Sequence, residues 1–161
     1  MQSDRTNLDL FDQSILRVLS VEGRISVTEL ARRIGLSKSP TQARLKRLEA
    51  DRVITGYRAV IDPSRIGAAH VAFVEVKLAD TRERALQAFA DGVRHIPEIE
   101  ECHLIAGAFD YLLKVRSRDI GAYRQVLAEH ISGLPHVQST STHVAMEIVK
   151  ETGESSLIST G

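Results

Sequence analysis

Apolar residues recur at helical spacing early in the chain. Phe11, Ile15, Leu16 and Leu19 share one face of a 3.6-residue period and predict a first helix. Asp9 is placed to cap it, Asp12 falls in its first turn and Gly23 ends it. Ser26 and Glu29 have the spacing of a capping box, in which each side chain satisfies the other's free backbone N–H. They predict a second helix over about 27–34, stopped by Gly35. Ser37 is expected to cap a third helix running to about Asp51. Pro40 stands in its first turn, where a missing N–H costs nothing. The last two helices are joined by a short turn holding glycine, which is the helix-turn-helix pattern.

Beyond the helices the period changes. Residues 53–61 are rich in β-branched side chains and read as a strand, broken by Asp62-Pro63. Residues 62–68 hold Pro and Gly and read as a linker. Strands are then expected at 71–78, 99–106, 111–115 and 137–149, with a turn at 107–110 making the middle two a hairpin. Helices are expected at about 82–95, opened by a capping box of Asp80 and Glu83, and from Asp119 to about Leu134. The order β-α-β-β-α-β is the ferredoxin-like split βαβ pattern. The fold class is therefore α+β, with a helix-turn-helix at 1–61, a linker at 62–68, a ferredoxin-like domain at 69–150 and a polar tail at 151–161.

Charge sharpens this division. The chain of 161 residues is neutral overall, yet residues 1–62 carry 11 Lys and Arg against 8 Asp and Glu, a net of +3, and residues 63–161 carry 10 against 13, a net of −3. Eight bases and only two acids lie within 32–58, a net of +6. A basic stretch on a neutral protein points to an anionic partner for that stretch, although a solvated helix face would show the same charge. No window approaches the roughly 18 unbroken apolar residues of a membrane span. The opening residues 1–10 are polar and acidic, unlike a secretion signal, so a cytoplasmic location and no membrane partner are expected. The single cysteine, Cys102, excludes an internal disulfide and reads as a buried small hydrophobe.

On the third helix Thr41, Leu45 and Leu48 share the face expected to pack inward. The opposite face carries Ser39, Gln42, Ala43, Lys46 and Arg47, flanked by Lys38 and Arg44. Gln can donate to and accept from adenine, Arg and Lys can reach guanine or phosphate, and small residues allow close approach, so this face suits a major groove. The candidate DNA contacts are Lys38, Ser39, Gln42, Arg44, Lys46 and Arg47. At the 107–110 turn, Gly107 permits positive φ and close backbone approach, and Asp110 brings a carboxylate. Open N–H groups with one carboxylate suit a zwitterion, and Thr140 and Thr142 add hydroxyls on one strand face. A plain hairpin turn and a polar strand face account for the same residues. The six histidines have no metal-ligand spacing, and neither a nucleophile elbow nor a phosphate loop occurs. No metal, cofactor or catalytic residue is expected, and the chain does not read as an enzyme.

These stretches resemble the leucine-responsive regulator/asparagine-regulator (Lrp/AsnC) family of bacterial transcription factors over about residues 7–150. The resemblance is carried by LDLFDQSILRVLSVEGRIS, ELARRIGLSKSPTQARLKRLEADRVITGYRAVIDP, VAFVEVKL, EECHLIAGAFDYLLKVRSRD, YRQVL, LPHV and TSTHVAMEIVK. ECHLIAG, FDYLLKVR and VAMEIVK look especially like the leucine-responsive branch, and the chain also resembles a subgroup that activates proline dehydrogenase. The resemblance implies a winged helix-turn-helix followed by a ferredoxin-like effector domain. It also implies double-stranded DNA as partner, and homodimers assembling to tetramers or octamers, in a cytoplasmic, nucleoid-associated protein. An amino-acid effector such as leucine or proline is then expected between dimers, contacted by Gly107, Asp110, Thr140 and Thr142. The family often has a polar residue after that glycine, where this chain has Ala108. The rival reading is a nucleoid-organising DNA-binding protein with no effector.

Overall fold

In the computed structural model, which describes residues 7–151, the chain divides into two compact units that meet in sequence between Val60 and Ile61. The tail expected over 151–161 lies, from residue 152 on, outside the described residues.

The first unit contains α1 (Leu10–Val21), α2 (Val27–Ile34) and α3 (Lys38–Ala50). Asp9 caps α1 and completes a full capping box with Asp12, each side chain taking the other's backbone N–H. Ser26 caps α2 through the Glu29 N–H, but the return bond is absent, because the Glu29 carboxylate is taken by Arg32 and Arg33. Gly35 ends α2 at φ +72°, the left-handed conformation that glycine adopts without steric cost. Ser37 opens α3 without a side-chain cap bond, contrary to expectation. The third helical residue there is Pro40, so one of the two N–H groups such a cap uses does not exist. Ile15, Leu30 and Leu48 form the buried centre, with Leu16, Leu19, Leu45, Val53 and Ile54 packed around it.

The strand expected over 53–61 does not form. Val53 and Ile54 instead donate their N–H groups to the Leu48 carbonyl and pack onto the helical core. β-branched residues favour a pleat only when a neighbouring strand fills its hydrogen bonds, and among the described residues this unit offers none.

The second unit opens with a 3₁₀ turn, Pro63–Ile66, inside the expected linker. Then come β1 (His70–Leu78), α4 (Glu83–Val93), β2 (Ile99–Leu104), β3 (Tyr111–Ser117), α5 (Ile120–Val126) and β4 (Val137–Val144). The sheet order is β2-β3-β1-β4 with every pair antiparallel, the ferredoxin-like arrangement. Ala72, Val74, Val76 and Leu78 of β1 alternate inward and join Leu113 and Val115 of β3, Phe89 of α4 and Tyr123 of α5 in one core. Cys102 is half-buried against it, as a small apolar residue would be. The other sheet face presents Phe73, Glu75 and Lys77 of β1 beside Ser139, Ser141 and His143 of β4, and Phe73 is 38% exposed.

Several expected boundaries move. β2 stops at Leu104 because it pairs with Tyr111, the first residue of β3. β4 stops at Val144 because Ala72 and Val71, close to the start of β1, take its last bonds. Asp80 does not box with Glu83. It accepts the Arg82 N–H and guanidinium, whose bonds bring its carboxyl down to about 2. Beyond Val126 the last helix widens into a π-helical turn, Leu127–Ile131.

Candidate functional site

The packing of α3 follows its sequence pattern. Thr41 and Leu48 are fully buried and Leu45 is half-buried. Lys38, Ser39, Gln42, Ala43 and Lys46 are exposed. These five put donors and acceptors beside small side chains on the outer surface of one helix.

Arg44 is half-buried, and Arg47, though exposed, is ion-paired as Arg44 is. Arg44 Nη1 donates to Asp9 Oδ2 at 2.5 Å and to Asp12 Oδ1 at 2.9 Å, while Arg47 Nη2 donates to Asp12 Oδ2 at 2.5 Å. The Arg44 guanidinium also lies 5.4 Å from the centre of the Phe11 ring. Asp12 is fully buried between them. The bonds from the Asp12 N–H and from Arg44 hold the Asp9 carboxyl below the ordinary range. Sequence reasoning missed this arrangement, although a signal existed. Asp12 precedes Ile15 and Leu16 by three and four residues, so it lies on the inward face of α1, where a carboxylate needs a buried partner.

Other bases of the local charge are paired as well. Arg32 and Arg33 pair with Glu29, and Arg33 also with Glu22. Four of the eight bases within 32–58 are thus held by carboxylates outside that window. Lys38 and Lys46 make no ion pair among the described residues.

At the 107–110 turn, Asp110 is part of the scaffold. Its N–H donates to the Val76 carbonyl at 2.9 Å and its own carbonyl accepts the Ile105 N–H at 2.8 Å. Its carboxylate Oδ2 accepts the Leu78 N–H at 2.7 Å, closing the end of β1. Gly107 does not use the positive φ that glycine permits. A Cβ there would meet only Ile105 Cγ2, at an ordinary van der Waals distance of 3.5 Å. Thr140 and Thr142 do share a face, opposite Val76 and Val74, and the Thr142 hydroxyl lies 2.5 Å from the Tyr123 phenol. Thr140 and Tyr111 flank Val76 from opposite sides, so the threonines and Asp110 stand about two strand spacings apart, roughly 10 Å. The structure therefore holds two patches in one chain, separated by β1. A third feature contains none of the sequence-predicted residues. It is an open depression of about 550 Å³ on α5 and the π-helical turn, lined by residues including Arg124, Gln125 and Glu129.

Among the described residues no cluster of His, Cys, Asp and Glu could hold a metal ion, and no helix is long and apolar enough to cross a membrane.

A helix-turn-helix followed by a ferredoxin-like sheet defines a DNA-binding module joined to a small-molecule or assembly module. Comparison with known proteins agrees. Residues 8–55 match the family of winged helix-turn-helix DNA-binding domains, and residues 71–155 match the Lrp/AsnC ligand binding domain. A proline dehydrogenase transcriptional activator from Rhizobium radiobacter is 60% identical over 91% of this chain and 94% of its own. The leucine-responsive regulatory protein of Escherichia coli K12 is 43% identical over 90% of this chain and 88% of its own. The structure of a transcriptional regulator from Neisseria meningitidis in complex with L-methionine superposes with a TM-score of 0.85 at 31% identity, covering 91% of this chain and 95% of that one. The chain belongs to the Lrp/AsnC family of DNA-binding transcription regulators. These relatives are named as regulators, so the expectation of a non-enzyme is met on that ground. Both parts of the resemblance are met as well. Of the two branches it named, identity is higher to the proline dehydrogenase activators than to the leucine-responsive protein.

Proposed function

We propose that this protein is a sequence-specific regulator of amino-acid metabolism that reads DNA with α3 and responds to a small amino acid bound between dimers. One observation carries the DNA part: Lys38, Ser39, Gln42 and Lys46 are exposed on α3 while Thr41 and Leu48 anchor its inner face. Gln42 offers an adenine its paired donor and acceptor, and Lys38 and Lys46 offer phosphates an unpaired charge. The N–H groups at the start of α3, uncapped by Ser37, add partial positive charge for a phosphate. Half-sites about one helical turn apart follow from a two-fold dimer. The expected working location is the cytoplasm, on the nucleoid.

The effector reading rests on the 107–110 turn with Asp110 and on Thr140 and Thr142. The naming of the 60% identical relative favours proline, and the L-methionine complex favours a small apolar amino acid more generally. The separation of the two patches by β1 fits a site completed by a second copy, with assembly beyond the dimer to tetramer or octamer. The uncovered sheet face around Phe73 supplies a surface for pairing. The same reading takes 1–61, 62–68 and 69–150 as DNA-binding, linker and effector segments.

The decisive experiment titrates the full chain against duplex selected from a randomised pool, at several salt concentrations. Lys46→Ala is expected to weaken binding across all sequences and to reduce the salt slope by about 1. An unchanged slope defeats the assignment of this face. A thermal-shift screen with the twenty amino acids tests the effector. A true ligand at a hundredfold excess over its Kd stabilises by about 2.7 kcal/mol. Broad protection of DNA with no response to any amino acid would favour the nucleoid-organising alternative.

A further inference from the structure

We infer that Asp12 is the positioning residue of the DNA-reading helix, and that Arg44 and Arg47 act through it rather than by touching DNA. The inference rests on the DNA reading above and deepens it.

Arg44 and Arg47 are three residues apart on α3, so both emerge on the same side, and both end on the one carboxylate of Asp12. That carboxylate belongs to the first turn of α1, and Asp9, its capping partner, takes a further bond from Arg44. Two elements more than 30 positions apart in sequence are thereby joined by three charge-assisted hydrogen bonds. Apolar packing through Leu45 and Leu48 holds α3 against its neighbours but resists rotation weakly, because such contacts are not directional. Hydrogen bonds to two guanidinium groups are directional, and they fix the azimuth at which Ser39, Gln42 and Lys46 face outward. Side chains that must meet base edges to a fraction of an ångström need such a supporting layer.

The clamp also decides what α3 offers to DNA. Of its four cations, Lys38 and Lys46 make no ion pair among the described residues, while the two arginines suited to bidentate contact with guanine each have one Nη on Asp12, Arg47 with its side chain 48% exposed. Base reading then falls to Gln42 and Ser39. Freeing the arginines would add phosphate-seeking charge while unfixing the helix. Non-specific affinity and specificity should therefore move in opposite directions, a pattern that simple loss of fold does not give.

The test compares the full-length wild type with Asp12→Asn and Arg47→Gln by fluorescence anisotropy. One probe is a duplex selected by the wild type from a randomised pool, the other a scrambled duplex of equal length. Asp12→Asn preserves shape and is expected to lower the specific-to-scrambled affinity ratio at least tenfold while steepening the salt slope on scrambled DNA. Arg47→Gln leaves Asp12 paired with Arg44, so the fold is retained even where the buried amide disrupts it. It is expected to lower the ratio with the salt slope unchanged. A slope reduced by about 1 with the ratio intact would make Arg47 a direct phosphate contact and overturn the inference. A natively folded Asp12→Asn with an unaltered ratio would overturn it equally. A wild type that enriches no sequence at all removes the DNA reading itself, an outcome distinct from normal selection with indifferent variants.

Discussion

Asp110 has one duty in the scaffold and a second one proposed for it. Sequence spacing marks it as a candidate for an ammonium group, yet one of its oxygens already holds the Leu78 N–H. Asp110→Ala is expected to cost about 1–3 kcal/mol, because a half-buried backbone donor at the end of β1 loses its acceptor. Urea denaturation measures that loss. Asp110→Asn keeps an oxygen for Leu78 and removes the charge. It should unfold near the wild-type midpoint but lose the thermal shift produced by the effector. Equal loss of stability in both variants would show that the charge serves the scaffold. The scaffold duty of Asp110 could not be told from the sequence, since the Leu78 contact spans 32 residues. The same blindness hid Asp12, whose partners stand 32 and 35 positions away.

At the scale of elements, what the sequence told well was local. Asp9, Gly35 and Asp119 cap their helices where the pattern put them, because capping involves groups within a few residues. What it told poorly depended on neighbours. Residues 53–61 have strand composition and no strand to pair with, and Ser37 lost its cap to the proline three positions on. The local charge of +6 fits a DNA-binding unit but overstates the free charge, since balancing carboxylates come from the cap and first turn of α1, the residue after it and the first turn of α2. Helix α2 provides a pH test of those pairs. Hydrogen bonds from Arg32 and Arg33 bring the Glu29 carboxyl down to about 2 from an ordinary 4.5. A folded value below the unfolded one means the contribution is complete above about 4.5 and is lost as pH falls toward about 2. Glu29→Gln should lower the urea midpoint slightly at neutral pH and flatten its decline between those limits. A parallel decline in wild type and variant would assign the acid sensitivity elsewhere.

For the molecule as a whole, the two units have separate cores, one around Ile15, Leu30 and Leu48 and one around Val74, Phe89 and Leu113. Leu48→Ala should remove about 2–5 kcal/mol, and the loss should fall on the first core. Hydrogen exchange checks this. Amides of α1, α2 and α3 should lose protection while those of β1 and β3 keep it, and uniform loss would mean a single cooperative unit. The fold class and the exposed face of α3 were legible because helix periodicity and strand alternation each repeat within one element. The two candidate effector patches were only half legible, since the sequence marks their residues but not the strand between them.

The tyrosines give this division an optical consequence. The chain contains no tryptophan and three tyrosines, so its near-ultraviolet spectrum is a tyrosine spectrum. Tyr57 belongs to the helical unit, with its phenol on Glu49 and its ionisation pushed up to about 12 by burial and that carboxylate. Tyr123 touches the hydroxyl of Thr142 on the candidate effector strand. Should the proposed effector draw that hydroxyl away, it perturbs Tyr123 and spares Tyr57, so two of the three tyrosines would serve as an unlabelled reporter and its reference.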